Sequence, residues 1–487
     1  MELPRTQQSE DGTAMSIKTL FFPIISLLAL APVIGCIRAQ YYRTNEHPTQ
    51  YSFSPVDERY GRGYFRAGSA YEAYVEFDAR GSLYHNENGA TPQLADALDL
   101  IRRCRFRPDG LTNSCAAAGT PLDHTPKPIA LYIFVHGWKN NASDDSGNTW
   151  GFRRFLSYAS YHHPEIPVVG IYMGWPGAVL KDDLFLSFWN REPIADIVGN
   201  SNDFRLSLKR LLHEAKGRFD PNDQAREDLF TKAAEYGGTD HSVVVVIGHS
   251  FGGIVLEHAA TALLQERFDA VSTESQSTER TIIDPPADLF VLINEAGAAS
   301  IAKPFLDRLK SSGLTYNCIT NNKSGECPLI LSMTSEGDLA TKFAYPGGEV
   351  FSWNRPPTPK HPVDQWGQDT DTPYELITAA NFVALQSHSI DKLSNAQRDT
   401  SECIVTVQLP AKNNYCMHSL RIASDPESLK NHPNDTPYWL MQLPQVFVPD
   451  HGTVFQDTFL RLLDQVAHPE QPQLALDTKQ LRNLQSK

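Results

Sequence analysis

The sequence predicts an α/β protein, a mostly parallel central sheet flanked by helices, and three observations carry that reading. Apolar runs of strand length recur at Leu131–Val135, Val168–Met173, Leu289–Ile293, Pro328–Met333 and Tyr438–Leu443. They alternate with helical patterns such as Asp203–Leu212, and alternation of this kind argues for parallel strands with helices packed against them. In a further run, Val243–Ile247, four valines and an isoleucine read as a buried parallel strand. It breaks abruptly at Gly248-His249-Ser250-Phe251-Gly252 into a helix beginning near Ile254. Such a sheet places its site at the carboxyl ends of its strands.

In chain order, the first region is residues 1–36. After Lys18 comes an apolar stretch, Leu20–Ile34, of signal-peptide length, and the preceding Glu2–Ala14 would be an unusual acidic leader, so Met15 is the expected start. The stretch ends in Val33-Ile34-Gly35-Cys36, which resembles the lipobox of bacterial lipoproteins and implies lipidation at Cys36. An ordinary cleaved signal is the alternative. Pro23, Pro32 and a length below the ~20 residues of a spanning helix disfavour an uncleaved anchor. Each version exports the rest of the chain, either to a membrane surface through a lipid anchor or as a secreted protein.

Cysteine usage agrees with export. Of seven cysteines, six remain beside Cys36, and they fall into three local pairs, Cys104 with Cys115, Cys318 with Cys327, and Cys403 with Cys416. Three small disulfide loops are expected, each contributing about 3 kcal/mol by the chain-entropy estimate and pinning a surface excursion. No zinc-like spacing of Cys or His is present, and no metal or cofactor is expected.

Residues 37–125 are expected to be an amino-terminal extension that adds to the sheet, with a hairpin from Ala73–Asp78 and Gly81–Tyr84. Residues 126–467 are expected to form the main domain, the one that holds the sheet. Within it, 266–287 reads as a polar surface loop, and 343–436 as an insertion. Residues 468–487 read as a polar tail.

A serine thrust forward between strand and helix needs minimal side chains two residues to either side, which Gly248 and Gly252 supply. This strand, turn and helix resemble the nucleophile elbow of the α/β-hydrolase superfamily, a resemblance spanning roughly Ile129 to Val466. It implies an acid and then a histidine after Ser250, each at the end of a later strand. Asp338, after the strand from Cys327, is the expected acid, with Glu295, closing Leu289–Asn294, as its rival. His451 sits between the last strand and a helix patterned on Phe455, Phe459, Leu462, Leu463 and Val466, and is the expected base. Among sixteen histidines, His388 is its competitor. His249, His136, His162 and His163 read as structural.

The resemblance further implies an oxyanion hole from the backbone amides of Trp138, after the strand ending in His136-Gly137, and of Phe251. It also implies a cap or lid over an acyl pocket at 343–436, where Pro356–Pro359, Trp366 and Phe382 offer an apolar cover. The function so implied is hydrolysis of carboxylic esters, with small-molecule or lipid esters as substrate and with thioester or peptide substrates open to the same machinery. A non-catalytic module of the same fold, binding a surface partner through its insertions, is the alternative from another class. A formal charge of −14, with no phosphate loop or lysine-rich run, argues against nucleic acid as a partner.

Overall fold

The computed structural model describes residues 41–44, 47–53, 68–178, 188–216, 242–274, 285–312, 327–346, 374–393, 403–409, 413–420 and 436–467. All of them belong to the unit Ala39–Lys487, while Met1–Arg38, with Cys36, lies outside the described residues. In chain order the elements are β1 (Thr49–Phe53), β2 (Gly68–Glu76), α1 (Pro92–Arg105), β3 (Ala130–Val135), α2 (Gly147–His162), β4 (Val168–Gly174), α3 (Phe188–Asn200) and α4 (Asn202–Lys216). There follow β5 (Val243–His249), α5 (Phe251–Glu274), β6 (Leu289–Ile293), α6 (Ala299–Ser312), β7 (Ile330–Ser335), β8 (His388–Lys392), β9 (Val405–Leu409), β10 (Asn413–Ser419), β11 (Tyr438–Leu443) and α7 (Asp457–Ala467).

Eight strands form one sheet in the order β1, β2, β4, β3, β5, β6, β7, β11, parallel throughout except for β1. The central strands are buried at every position because helices cover both faces, which is why they read as unbroken apolar runs. The two-residue period of a strand divides them. Leu131, Ile133, Val135, Val244 and Val246 pack with Phe204, Leu208 and Ile254 on one face. Tyr132, Phe134, Val245 and Ile247 pack with Phe152, Phe155, Phe459 and Leu462 on the other. Each such aliphatic or aromatic side chain contributes about 1.5–3 kcal/mol by its burial.

The strand order positions the site. From β3 the chain steps to β4 on one side, then crosses to β5 on the other side of β3. The loops leaving β3 and β5 therefore diverge at the carboxyl edge and open a crevice between them.

The amino-terminal extension does lengthen the sheet, through β1 and β2, and the expected hairpin forms only as a short turn at the end of β2. Leu83 bridges Phe77 in antiparallel fashion, with Asp78 N on Ser82 O and Tyr84 N on Glu76 O, each at 2.9 Å. It is confined to that end because β1 pairs with Gly68–Glu72 and β4 with Ala70–Glu76. Residues 266–274, expected in a loop, continue α5 instead. Glu266, Arg267 and Asp269 face solvent while Phe268 is buried and stacks on Phe305 at 5.7 Å.

The described part of the 343–436 insertion forms a second, antiparallel sheet, β8, β10, β9. It docks beside β11 and α7, where Ser387 Oγ accepts from Leu440 N at 3.0 Å and Gln465 Oε1 accepts from Gln408 N at 3.0 Å. Phe382, expected on an apolar cover, is instead buried against Tyr374 at 4.9 Å. Pro356–Pro359 and Trp366 lie outside the described residues.

Two of the expected disulfides are present, Cys104 to Cys115 and Cys403 to Cys416. Cys327 is also disulfide-bonded, and its expected partner Cys318 lies outside the described residues. Among the described residues no helix is long and apolar enough to cross a membrane.

Candidate active site

Ser250 stands at the junction of β5 and α5 with φ at +56°, a left-handed conformation that costs a residue with a Cβ about 1–3 kcal/mol. The surrounding backbone holds it there. Ser250 N donates to Ile293 O at 3.2 Å, and Ser250 O accepts from Gly253 N at 2.9 Å and Ala296 N at 3.3 Å. The flanking glycines answer to close approach. A Cβ on Gly248 would lie 2.6 Å from Gly252 O, and one on Gly252 would lie 2.3 Å from Val135 O.

The structure brings Ser250, His451 and Asp338 together. His451 Nε2 lies 2.9 Å from Ser250 Oγ, and His451 Nδ1 lies 2.9 Å from Asp338 Oδ2. Asp338 is fully buried, and its remaining lone pairs accept from Ala340 N at 2.9 Å, Thr341 N at 3.2 Å and Thr341 Oγ1 at 2.8 Å. Burial pushes this carboxyl up, but the His451 ring and the Thr341 donors outweigh it and leave it below its ordinary value. An ionised Asp338 accepts the Nδ1 proton, so Nε2 is the nitrogen left to accept from the serine hydroxyl.

Glu295, the rival acid, is buried in the interior and does not bond His451. A Cβ on Gly253 would lie 2.8 Å from its Cγ, so Glu295 packs against the first turn of α5. Burial first, and then the neighbouring Glu257 carboxyl, raise Glu295 well above its ordinary value. Glu257 in turn accepts a short hydrogen bond from the Tyr438 hydroxyl. His388, the competing base, stacks on Trp439 at 3.9 Å and pairs its Nδ1 with Ser387 Oγ at 2.8 Å. His162 and His163 reach Asp457 and Asp464, joining α2 to α7.

His136 and Gly137 build the other wall. His136 is buried and stacks on Trp175 with planes 6° apart. Its Nε2 accepts from Trp175 N at 3.0 Å, so Nδ1 carries the proton and donates to Gly137 O at 3.0 Å. Burial holds its pKa down at about 4, keeping the ring neutral in this brace. A Cβ on Gly137 would sit 2.7 Å from Ser250 Cβ, so the loop carrying Trp138 abuts the serine. Lys139 follows at φ +63°, with its N–H on Gly177 O at 2.9 Å, and the Trp138 and Phe251 rings lie 6.1 Å apart.

Three supporting residues are not apparent from the sequence. Asn294, at φ +49°, donates from Nδ2 to Asp450 O at 3.0 Å and His451 O at 3.2 Å, and accepts from Ser335 N at 2.8 Å. It therefore ties the end of β6 to both the acid loop and the histidine loop. Ser335 Oγ adds a bond to Val448 O at 2.5 Å. His249 Nε2 donates to His451 O at 2.7 Å, and burial lowers its pKa to about 3. Only Asn294 carries a local signal, since Asn tolerates the left-handed region.

Among the described residues no group of His, Cys, Asp or Glu is arranged to hold a metal ion. What the fold defines is the class, an α/β protein with a mostly parallel, helix-flanked sheet. No family model matches the chain, and no curated protein does. One of the solved structures that match is described as the crystal structure of an uncharacterized protein from Pseudomonas aeruginosa. It is 11% identical, with a TM-score of 0.23, and the match covers 54% of this chain and 42% of that one. This chain thus spans less than half of that neighbour's length.

Proposed function

We propose that this protein is an exported serine hydrolase of carboxylic esters, built on an α/β-hydrolase type of sheet and working through an acyl-enzyme. The observation that carries this reading is the hydrogen-bonded chain from Ser250 through His451 to Asp338, with the serine held at positive φ between strand and helix. Each part has a chemical role. His451 Nε2 takes the hydroxyl proton as Ser250 Oγ attacks the ester carbonyl, and Asp338 stabilises the imidazolium that results. Collapse of the tetrahedral intermediate expels the alcohol, which takes that proton from His451. Water, deprotonated by the same nitrogen, then attacks the acyl-enzyme and releases the carboxylic acid with Ser250 restored.

The amides of Trp138 and Phe251 are the proposed oxyanion donors, a reading supported by the contact of Gly137 with Ser250. An apolar acyl group, including that of a lipid, is favoured by the exposure of Leu339 (64%), Phe343 (65%) and Val383 (73%) on the acid loop and the turn bracing it. Export is supported by the disulfides. Lipidation at Cys36 and a cap formed by part of the 343–436 insertion belong to the same proposal.

Fluorophosphonate labelling of the full chain in detergent, beside Ser250→Ala, tests the reading. Labelling confined to the wild-type serine, followed by turnover of p-nitrophenyl esters, is the expected result, and the dependence on acyl length separates esterase from lipase. A cooperatively folded wild-type protein that takes no label supports a non-catalytic binding module instead.

A further inference from the structure

We propose that Arg43, in the segment that precedes the first strand, is a positioning residue for the oxyanion loop. This inference rests on the hydrolase reading above and concerns the same site. The loop is the stretch from His136 to Ser146 between β3 and α2. Its near end, Gly137 and Trp138, lies against Ser250. Its far end is held from outside the sheet by an arginine remote in sequence.

Arg43 is buried, 4% exposed, and spends every face of its guanidinium on that loop and its supports. Its Nε donates to Ala142 O at 2.6 Å. Its two terminal nitrogens reach the Asp144 carboxylate, Nη1 at 3.2 Å from Oδ2 and Nη2 at 2.8 Å from Oδ1. The guanidinium also lies over the Tyr74 ring, 4.3 Å from its centroid. A planar fork that meets a carboxylate and a carbonyl together fixes orientation as well as distance, which a point charge cannot do.

The arginine is in turn anchored by the sheet. Glu76, at the end of β2, accepts from Arg43 N at 2.7 Å and from Tyr42 N at 2.8 Å. Gln93 locks the pair, donating to Glu76 Oε1 at 2.9 Å and to Arg43 O at 3.2 Å. The same Asp144 Oδ1 also accepts from Arg153 of α2, whose Nη1 lies 2.9 Å away and whose Nε lies 2.9 Å from Glu72 Oε2. The loop's far end is therefore held by two arginines that share one carboxylate, one on the scaffold helix and one on the amino-terminal segment.

The clamp reaches the site through the loop's own bonds. Asn140 Nδ2 donates to Trp138 O at 2.9 Å, while Asn140 Oδ1 accepts from Ser146 Oγ at 3.2 Å and from Asn148 N at 3.3 Å. Only four positions separate Trp138 from Ala142, so a shift of the Ala142 carbonyl moves the amide that the mechanism needs. A displacement of about 1 Å in a catalytic group costs as much as 100-fold in rate.

The experiment compares the full-length wild type in detergent with Arg43→Ala, Arg43→Lys and Asp144→Asn. A short p-nitrophenyl ester supplies kcat and KM, and an alkylboronic acid, which forms a tetrahedral adduct with the serine oxygen, reports on the oxyanion hole. Arg43→Ala is expected to lower kcat roughly 10- to 100-fold and to weaken the boronate by a similar factor, with KM changed less than about 2-fold. Arg43→Lys recovers part of the loss by meeting Asp144 alone, and Asp144→Asn shows a smaller loss of the same kind. Should Arg43→Ala fail to fold, the other two variants carry the test, because Asp144 is 64% exposed and a lysine retains the charge. A folded Arg43→Ala with kcat and boronate affinity within about 2-fold of wild type overturns the inference, as does a loss confined to KM. If Arg43→Lys and Asp144→Asn alone are folded, unchanged kcat and boronate affinity in both overturn it equally. Failure of wild type to label or turn over removes the hydrolase reading itself, which is a different result from a labelled wild type with an indifferent Arg43.

Discussion

Asp338 and Glu295 are both buried carboxyls just past the ends of neighbouring parallel strands, β7 and β6, yet the protein treats them in opposite ways. Asp338 meets His451 Nδ1, two backbone amides and the Thr341 hydroxyl, all donors to its charged form. Glu295 is set against a second buried carboxyl, Glu257, with the Ser332 hydroxyl as the one neighbour that favours its charged form. Burial raises both, so the donors decide which one is an anion. Position at a strand end qualifies a residue as a candidate, but the hydrogen bonds aimed at it set which carboxyl is charged and meets His451.

The largest expected effect tests that selection directly. Asp338→Asn replaces an acceptor with an amide that favours the wrong tautomer of His451, and kcat toward a p-nitrophenyl ester is expected to fall on the order of 10,000-fold. A comparable fall in Glu295→Gln, with Asp338→Asn active, would falsify the assignment and make Glu295 the acid. The next effect is smaller. Asn294→Gly keeps the positive φ but removes the side chain that joins the acid and histidine loops, and a kcat loss of roughly 10- to 100-fold is expected, measured beside thermal melting. Loss of melting cooperativity without a change in kcat per folded molecule would assign Asn294 to stability alone.

The two carboxyls also give stability opposite dependences on pH. Asp338 holds its proton more weakly in the folded protein than in the unfolded chain. Its contribution is full above the ordinary value of 3.8 and is lost as pH falls through the lower folded value. Glu295 holds its proton more tightly when folded, so from its ordinary 4.5 upward the unfolded chain releases the proton first and stability declines as pH rises. Urea unfolding midpoints followed across pH are expected to show a shallower alkaline decline in Glu295→Gln and a shallower acid loss in Asp338→Asn. An unaltered alkaline limb in Glu295→Gln would show that Glu295 does not hold its proton at neutral pH. The smallest effect completes the contrast, since Glu295→Gln is expected to keep kcat within about 2-fold of wild type.

Much of this architecture is legible residue by residue. The apolar run Val243–Ile247 announces a strand covered on both faces, and the glycines around Ser250 announce a turn where backbones approach closely. The pairs Cys104 with Cys115 and Cys403 with Cys416 close over 11 and 13 residues, short enough to be read from proximity in the chain. The residues 266–274 show where such reading stops, since their polar composition reads as a loop, yet they continue α5 with Phe268 buried against Phe305.

Local chemistry, then, was enough to place Ser250 between a buried strand and a helix and to predict the parallel, helix-flanked sheet. The pairing of Ser250 with His451 spans 201 residues and that of His451 with Asp338 spans 113. The reach of Arg43 to Asp144 spans 101. The amino-acid pattern offered candidates for the first two and no sign of the third. The sequence preferred Asp338 to Glu295, but showing which carboxyl bonds His451, and enlisting Asn294, His249 and Arg43, required the packed sheet, because a hydrogen bond depends on distance and direction in space, and separation along the chain sets neither.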